Sequence, residues 1–234
     1  MINTVFKRYE VKYMLTDAQR IRFTEMIDAY IKPDEFGEST ICNIYYDTPD
    51  FRLIRRSLEK PEYKEKLRLR SYGTATPDTT VFLELKKKYD GVVYKRRIAL
   101  KDRIAEDYLN GDVSLPDDSQ IGKEIEYCVR FYKAIVPMCF IAYDRQAYYS
   151  KDDPGLRITF DRNIRYRIDD VTLCSEPEGR SILDEDISLM EIKAGEAMPL
   201  WLVKALTACK VKQTSFSKYG TVYTQLLSKA FSAC

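Results

Sequence analysis

The sequence predicts an α+β chain that is mainly antiparallel β, a closed eight-stranded barrel forming a tunnel, with helices packed on its outside. Three observations predict it. Eight segments read as strands, most of them alternating with a period of two. Their polar faces are charged rather than merely hydrophilic. Six further segments are amphipathic at helical spacing and can cover the apolar side of a sheet. With 45% hydrophobic residues, 18 Tyr and 10 Phe, the chain of 234 residues is apolar enough to bury a core, and barrels of this length commonly form one domain. A single domain over residues 1–234 is therefore expected.

The first strand is expected over residues 6–14. A helix over 16–31 follows, opened by Thr16 and Gln19 as a capping box, with Ile21, Ile27 and Ile31 among its apolar positions. Strands are expected over 41–47, 63–72, 80–88, 92–100, 138–150, 156–166 and 189–194. Turn signals bound them, such as Tyr72-Gly73-Thr74, Tyr89-Asp90-Gly91 and Asp152-Asp153-Pro154-Gly155. The remaining helices are expected over 49–58, 103–110, 119–132, 199–210 and 219–231. No fixed repeat or low-complexity linker interrupts the chain.

Bulk charge excludes several functions. Lys and Arg number 38 against 36 Asp and Glu, so the formal charge of +2 argues against a generally basic, nucleic-acid-binding surface. The N-terminus has no apolar signal region, and no stretch approaches roughly 18 uncharged apolar residues. Neither secretion nor direct membrane insertion is indicated, and a cytoplasmic location is expected. The six cysteines are scattered without a CxxC pair and read as thiols. Histidine is absent. That removes the commonest zinc ligand and general base, so a metal here would be a hard ion held by carboxylates and phosphate oxygens.

In a strand, residues i, i+2 and i+4 share a face, so polar residues can be sorted by parity. Arg8, Glu10 and Lys12 oppose Tyr9, Val11 and Tyr13; Lys66, Arg68 and Arg70 oppose Leu67 and Leu69. Glu84, Lys86 and Lys88 oppose Leu83 and Leu85; Arg157, Thr159 and Asp161 oppose Ile158 and Phe160; Glu191 and Lys193 flank Ile192. One of Lys95 or Arg97 is expected to join them. Any one such strand is most simply a solvated face; repeated over half a dozen strands, the charged faces either point to water or converge inside a barrel, and their bias to Arg and Lys favours the barrel. A cationic lumen is costly unless it holds water and a polyanion. Arg forks and Lys point charges suit phosphate oxygens, and carboxylates can carry Mg²⁺ or Mn²⁺ among them.

The ordered motifs Arg8-Tyr9-Glu10-Val11-Lys12-Tyr13, Ile44-Tyr45-Tyr46-Asp47-Thr48, Lys66-Leu67-Arg68-Leu69-Arg70-Ser71-Tyr72-Gly73, Phe82-Leu83-Glu84-Leu85-Lys86, Tyr143-Asp144-Arg145, Leu156-Arg157-Ile158-Thr159-Phe160-Asp161, Met190-Glu191-Ile192-Lys193 and Ser215-Phe216-Ser217-Lys218-Tyr219 resemble the VTC domain. That domain is the polyphosphate polymerase of the vacuolar transporter chaperone complex, within the triphosphate tunnel metalloenzymes. The resemblance implies that Lys12, Arg68, Arg70, Lys86, Arg145 and Arg157 line the tunnel and hold phosphate, Arg68, Arg70, Lys86, Arg145 and Arg157 acting catalytically. Ser217 and Lys218 match a further phosphate-binding pair, and Lys66, Arg97 and Lys193 are expected to assist from the same faces. Glu191 matches the metal ligand for Mn²⁺ or Mg²⁺. Glu10 and Glu84 are candidate companions, although Glu84 reads rather more as a partner that holds Lys86 and Arg68.

Arg8 stands where other tunnel enzymes often carry a first glutamate, which weakens the case for a simple hydrolase. Ser215 stands where the eukaryotic polymerase has a lysine, with Lys212 or another cation as a substitute. The regulatory SPX domain and the membrane segments of the eukaryotic complex have no match, so a stand-alone, bacterial version is expected. The implied activity is transfer of the terminal phosphoryl group of ATP to a growing polyphosphate chain. A tripolyphosphatase or nucleoside triphosphatase, or a non-catalytic polyphosphate-binding module, is the alternative. Expected partners are ATP, polyphosphate or tripolyphosphate, and a membrane protein for polymer export.

Overall fold

A computed structural model describes residues 9–90, 92–195 and 197–232, with side chains of the last helix described to residue 226. The part of the first predicted strand that includes Arg8 lies outside the described residues. The strands are β1 (Tyr9–Thr16), β2 (Ile31–Asp47), β3 (Tyr63–Tyr72), β4 (Thr80–Tyr89), β5 (Val92–Lys101), β6 (Val136–Ser150), β7 (Arg157–Arg167), β8 (Arg180–Ser181), β9 (Ile187–Ala194) and β10 (Lys212–Thr214). The helices are α1 (Asp17–Ile27), α2 (Arg52–Leu58), α3 (Asp102–Asn110), α4 (Gln120–Tyr132), α5 (Leu200–Ala208) and α6 (Lys218–Ser232).

Hydrogen-bonded strand neighbours run β10-β1-β9-β7-β6-β2-β3-β4-β5, with β8 on β7. The pairings are antiparallel throughout β1–β10, β1–β9, β2–β3, β3–β4, β4–β5, β7–β8 and β7–β9. This bears out a mainly antiparallel α+β chain and corrects one feature: the order is open, with β10 and β5 at its two ends, so hydrogen bonds do not close a barrel among the described residues. Among the described residues the strands number ten rather than eight. β8 and β10 are two and three residues long, too short to show alternation.

Contacts divide the chain into two compact units. The first takes the described residues of Met1–Ser39, Tyr143–Ile164 and Leu183–Phe216; the second takes those of Thr40–Ala142, Arg165–Ile182 and Ser217–Cys234. In the first unit, the apolar sides of β1, β7 and β9 pack Tyr13, Leu15, Ile158, Phe160, Met190 and Ile192 against Phe23 and Ile27 of α1 and Leu202 and Leu206 of α5. In the second, Leu67, Leu69, Leu83, Leu85 and Ile98 pack with Ala105 and Leu109 of α3 and Ile125 of α4. Each fully buried aliphatic side chain in these layers is worth about 1.5–3 kcal/mol of transfer free energy. Covering the apolar parity leaves the charged parity of the same strands on the opposite side.

α1 opens on the expected capping box, in which Thr16 accepts from the Gln19 backbone and Gln19 accepts from Thr16 N–H. It ends at Ile27, four residues before the expected end, and passes through a 3₁₀ turn into β2. Ile21 is exposed, against expectation, while Phe23 and Ile27 are fully buried. β2 begins ten residues earlier than expected because its first half is mostly exposed and contains Pro33 and, at φ +61°, Gly37. Such a stretch carries no period-two apolar pattern to read.

Candidate functional site

In the second unit the register aligns Lys66, Lys86 and Lys95 across β3, β4 and β5, and in the next row of the same face Arg68, Glu84 and Arg97. Paired residues in an antiparallel sheet point to the same side, so one face gathers the predicted cations around Glu84. That carboxylate is 1% exposed. It takes Arg68 at 2.6 Å, Arg97 at 2.5 Å, Lys95 at 2.9 Å and Arg70 at 3.8 Å. Burial by itself pushes the Glu84 carboxyl up, but Arg68, Arg70 and Lys95 outweigh it and hold the group well below the usual carboxylate range. The Lys95 ammonium is pushed down to about 8, first by burial and then by Arg68 and Arg97, against the pull of Glu84.

Either Lys95 or Arg97 was expected on this face; both are there, because residues two apart share a side. Arg97 also stacks over Phe82 at 4.2 Å and donates to Tyr72 Oη at 3.2 Å. Both Glu84 oxygens are engaged by cations, Arg68 on one and Lys95 and Arg97 on the other. Lys86 lies on the same face, and Lys87, on the other, pairs with Glu124 of α4. Lys66 Nζ donates to Ser217 Oγ at 2.9 Å, and Ser217 Oγ accepts from Gly220 N in the first turn of α6. Lys218 follows directly as the first residue of that helix.

The first unit builds a second cluster. Across β1, β9 and β7 one row reads Glu10, Lys193, Arg157 and the next Lys12, Glu191, Thr159. Lys12 Nζ stands 3.3 Å from Glu191 and 3.9 Å from Glu10, and it donates to the Phe216 carbonyl at 3.1 Å. Lys193 Nζ is 3.6 Å from Glu191. Arg145 donates two hydrogen bonds, of 2.6 and 2.8 Å, to fully buried Asp161, the next polar residue on the Thr159 face. Burial disfavours charge on Arg145, but Asp161 and Tyr143 overcome this and keep the guanidinium ionised. Arg157 lies over the Tyr149 ring at 5.0 Å and reaches Asp34 at 3.5 Å.

Two groups that orient these cations, Asn43 and Tyr45, and a carboxylate that ties down α2 and α6, Asp47, were given no role from the sequence. Asn43, fully buried on β2, accepts from Arg70 Nε at 3.0 Å and donates to the Ile141 carbonyl. Tyr45 Oη accepts from Arg68 at 3.4 Å, and the Tyr45 ring stacks on Tyr219 at 4.9 Å. Asp47 accepts the backbone N–H groups of Thr48, Leu53 and Ile54 and the Tyr219 hydroxyl. The parity of Asn43, Tyr45 and Asp47 was a readable signal: three polar-capable groups alternating with Cys42, Ile44 and Tyr46, which are buried in the core.

Comparison with known proteins decides the lineage. A family model described as the VTC domain matches residues 7–227. The chain belongs to the VTC domain family. Among curated proteins, vacuolar transporter chaperone complex subunit 4 of Schizosaccharomyces pombe is 26% identical over 149 residues, covering 54% of this chain and 20% of that protein. Its namesake in Trypanosoma brucei brucei is 33% identical over 89 residues, covering 33% of this chain and 11% of that protein. This VTC domain thus spans at most a fifth of those relatives' lengths in alignment. Among solved structures, a protein assigned as an adenylate cyclase from Bacillus halodurans superposes with a TM-score of 0.57 at 13% identity, over 89% of this chain and 92% of that one. An assigned adenylyl cyclase from Hippeastrum, described as having a dominant triphosphatase activity, gives 0.55 at 14% identity, over 93% and 96%. These likenesses bear out the fold that the resemblance to tunnel enzymes implied. No helix among the described residues is long and apolar enough to cross a membrane.

Proposed function

We propose that this VTC domain is a metal-dependent polyphosphate polymerase that transfers the terminal phosphoryl group of ATP to a growing polyphosphate chain. The observation that carries the reading is the gathering of Arg68, Arg70, Lys95 and Arg97 within 4 Å of one buried carboxylate, in a chain of the VTC family. Cations in such excess suit a ligand with many phosphate oxygens. In this reading Arg68, Arg70, Lys86, Arg145 and Arg157 neutralise charge on the transferring phosphoryl groups. Lys12, Lys66, Arg97, Lys193, Ser217 and Lys218 bind flanking phosphates. The acceptor is itself an ionised phosphate and needs no general base, which agrees with a chain that has no histidine.

Among the described residues no three Asp, Glu or Cys side chains gather to form a protein cage. Glu10 and Glu191, both within 4 Å of Lys12 Nζ, supply a pair of hard oxygen ligands. Mg²⁺ or Mn²⁺, which keeps most of its coordination for water and phosphate oxygens, fits such a pair. Held by Glu10 and Glu191, such an ion would supply positive charge to offset that of the phosphates. Glu84 is left out of this set because Arg68, Lys95 and Arg97 crowd it at 2.5–2.9 Å, whereas the lysines beside Glu191 stand off at 3.3 and 3.6 Å.

A cytoplasmic site of action, where ATP and Mg²⁺ are supplied, belongs to the proposal. So does export through a membrane-protein partner, which rests on the name of the relatives' complex. Incubating the protein with ATP and Mn²⁺, then staining a gel for polyphosphate and assaying released phosphate, tests the reading. Polymer with little orthophosphate is expected. Orthophosphate without polymer would establish the hydrolase, to which the Hippeastrum likeness lends its fold. Tight tripolyphosphate binding without turnover would establish a binding module.

A further inference from the structure

Beside Glu191 in the first unit's cluster, Thr159 is 1% exposed, and its Oγ1 finds no hydrogen-bond partner among the described residues. Its register neighbour on β9 is Glu191, which is in turn the neighbour of Lys12. Two residues away on the same side of β7, Arg157 has a buried Nε that likewise lacks a partner. Buried polar groups are nearly always satisfied. Here two unsatisfied groups, both able to donate, sit at i and i+2 on one strand face, beside Lys12, Lys193 and the carboxylates. Two such donors at the spacing of alternate strand residues call for an acceptor-rich ligand.

Thr159 has a bland explanation as a β-branched residue that suits a strand. On that explanation valine, with the same shape and no hydroxyl to leave unsatisfied, would serve at least as well. We propose that Thr159 is a further phosphate-binding residue, donating its hydroxyl to an oxygen of the same polyphosphate ligand that Arg157 holds. The proposal rests on the phosphate-binding reading above and adds a neutral donor to a cluster otherwise made of ions. A neutral donor lets a phosphate oxygen lie close to the Glu191 carboxylate without placing another cation between them, which leaves Glu191 available to a metal.

The test is calorimetric titration of metal-free protein, kept in chelator, with tripolyphosphate, comparing wild type, Thr159→Val, Thr159→Ser and Arg157→Gln, with thermal melts of each. Thr159→Val should melt as high as wild type or higher and bind tripolyphosphate about tenfold more weakly or worse, the loss of one hydrogen bond to a charged acceptor. Thr159→Ser, which keeps the hydroxyl, should bind within about threefold of wild type. Normal binding by Thr159→Val alongside lost binding by Arg157→Gln would overturn the assignment of Thr159 and leave the cluster's phosphate reading standing. Normal binding by both would overturn the two together. Equal losses in Thr159→Val and Thr159→Ser would also overturn it, since the methyl group, not the hydroxyl, would then matter.

Discussion

Glu84 sits among four cations at 1% exposure, and two of them, Arg68 and Arg70, differ sharply in what else holds them. Arg68 keeps 22% of its side chain in solvent, and removing it leaves Glu84 with Arg70, Lys95 and Arg97. Arg68→Ala should therefore destabilise less in urea unfolding than Arg70→Ala while weakening tripolyphosphate binding. Arg70 is 6% exposed, and its loss also strips the donor from buried Asn43. Arg70→Ala should cost roughly 1–3 kcal/mol more than Arg68→Ala in the same assay. Glu84 itself supplies the acid limb of stability. Its folded pKa is depressed, so its contribution is fully present above the unfolded value near ~4.3 and is lost as pH falls through the folded value. Glu84→Gln should lower stability at neutral pH by about 3 kcal/mol and show a shallower decline below ~pH 4 than wild type, read from denaturation at several pH values. Parity already named Arg68 and Arg70 as neighbours in the sequence. Their unequal support was not legible there, because Asn43 lies twenty-seven positions from Arg70 and meets it only through strand pairing.

The elements matter through how they tie these side chains down. Asp47 closes β2 and caps the start of α2 by accepting from Thr48, Leu53 and Ile54 N–H, while its other contact draws in Tyr219 of α6. A carboxylate at a helix start gains from the exposed N–H groups there. The first turn of α6 lies beside Ser217 and Lys218, so Asp47 fixes the strand, one helix and the start of the other. Tyr219→Phe should cost about 1 kcal/mol of stability, and Asp47→Ala roughly 3 kcal/mol, both measured by urea midpoint. Both should weaken tripolyphosphate binding by displacing Ser217 and Lys218. Thr16→Ala, which removes the α1 cap, should cost about 1 kcal/mol and leave binding unchanged, a control for stability loss alone. β3 could be bounded correctly from alternation, and α1 could be started correctly from its capping box. The first half of β2 and the two shortest strands could not, since exposed or two- and three-residue pairings carry no periodic signal.

For the molecule as a whole, a formal charge of +2 coexists with strand faces on which cations are concentrated. Polyanion binding should therefore depend steeply on salt even though the protein is nearly neutral, because local cations are screened over about 8–10 Å. Raising ionic strength from about 0.05 to 0.5 M should weaken tripolyphosphate binding by at least tenfold in titration calorimetry, and an affinity independent of salt would count against cationic capture. The sequence by itself determined the antiparallel strands, the parity of their charged faces and the family, because a period of two and the order of motifs are local or linear properties. The tertiary structure alone decided that the strand order is open rather than closed among the described residues. It also decided that Glu84 lies among four cations, that Lys95 and Arg97 share it as a partner, and that Asn43 meets Arg70. The physical reason is register: which residue lies across from which depends on how distant strands align, and that is set by the burial of their apolar faces beneath the helices.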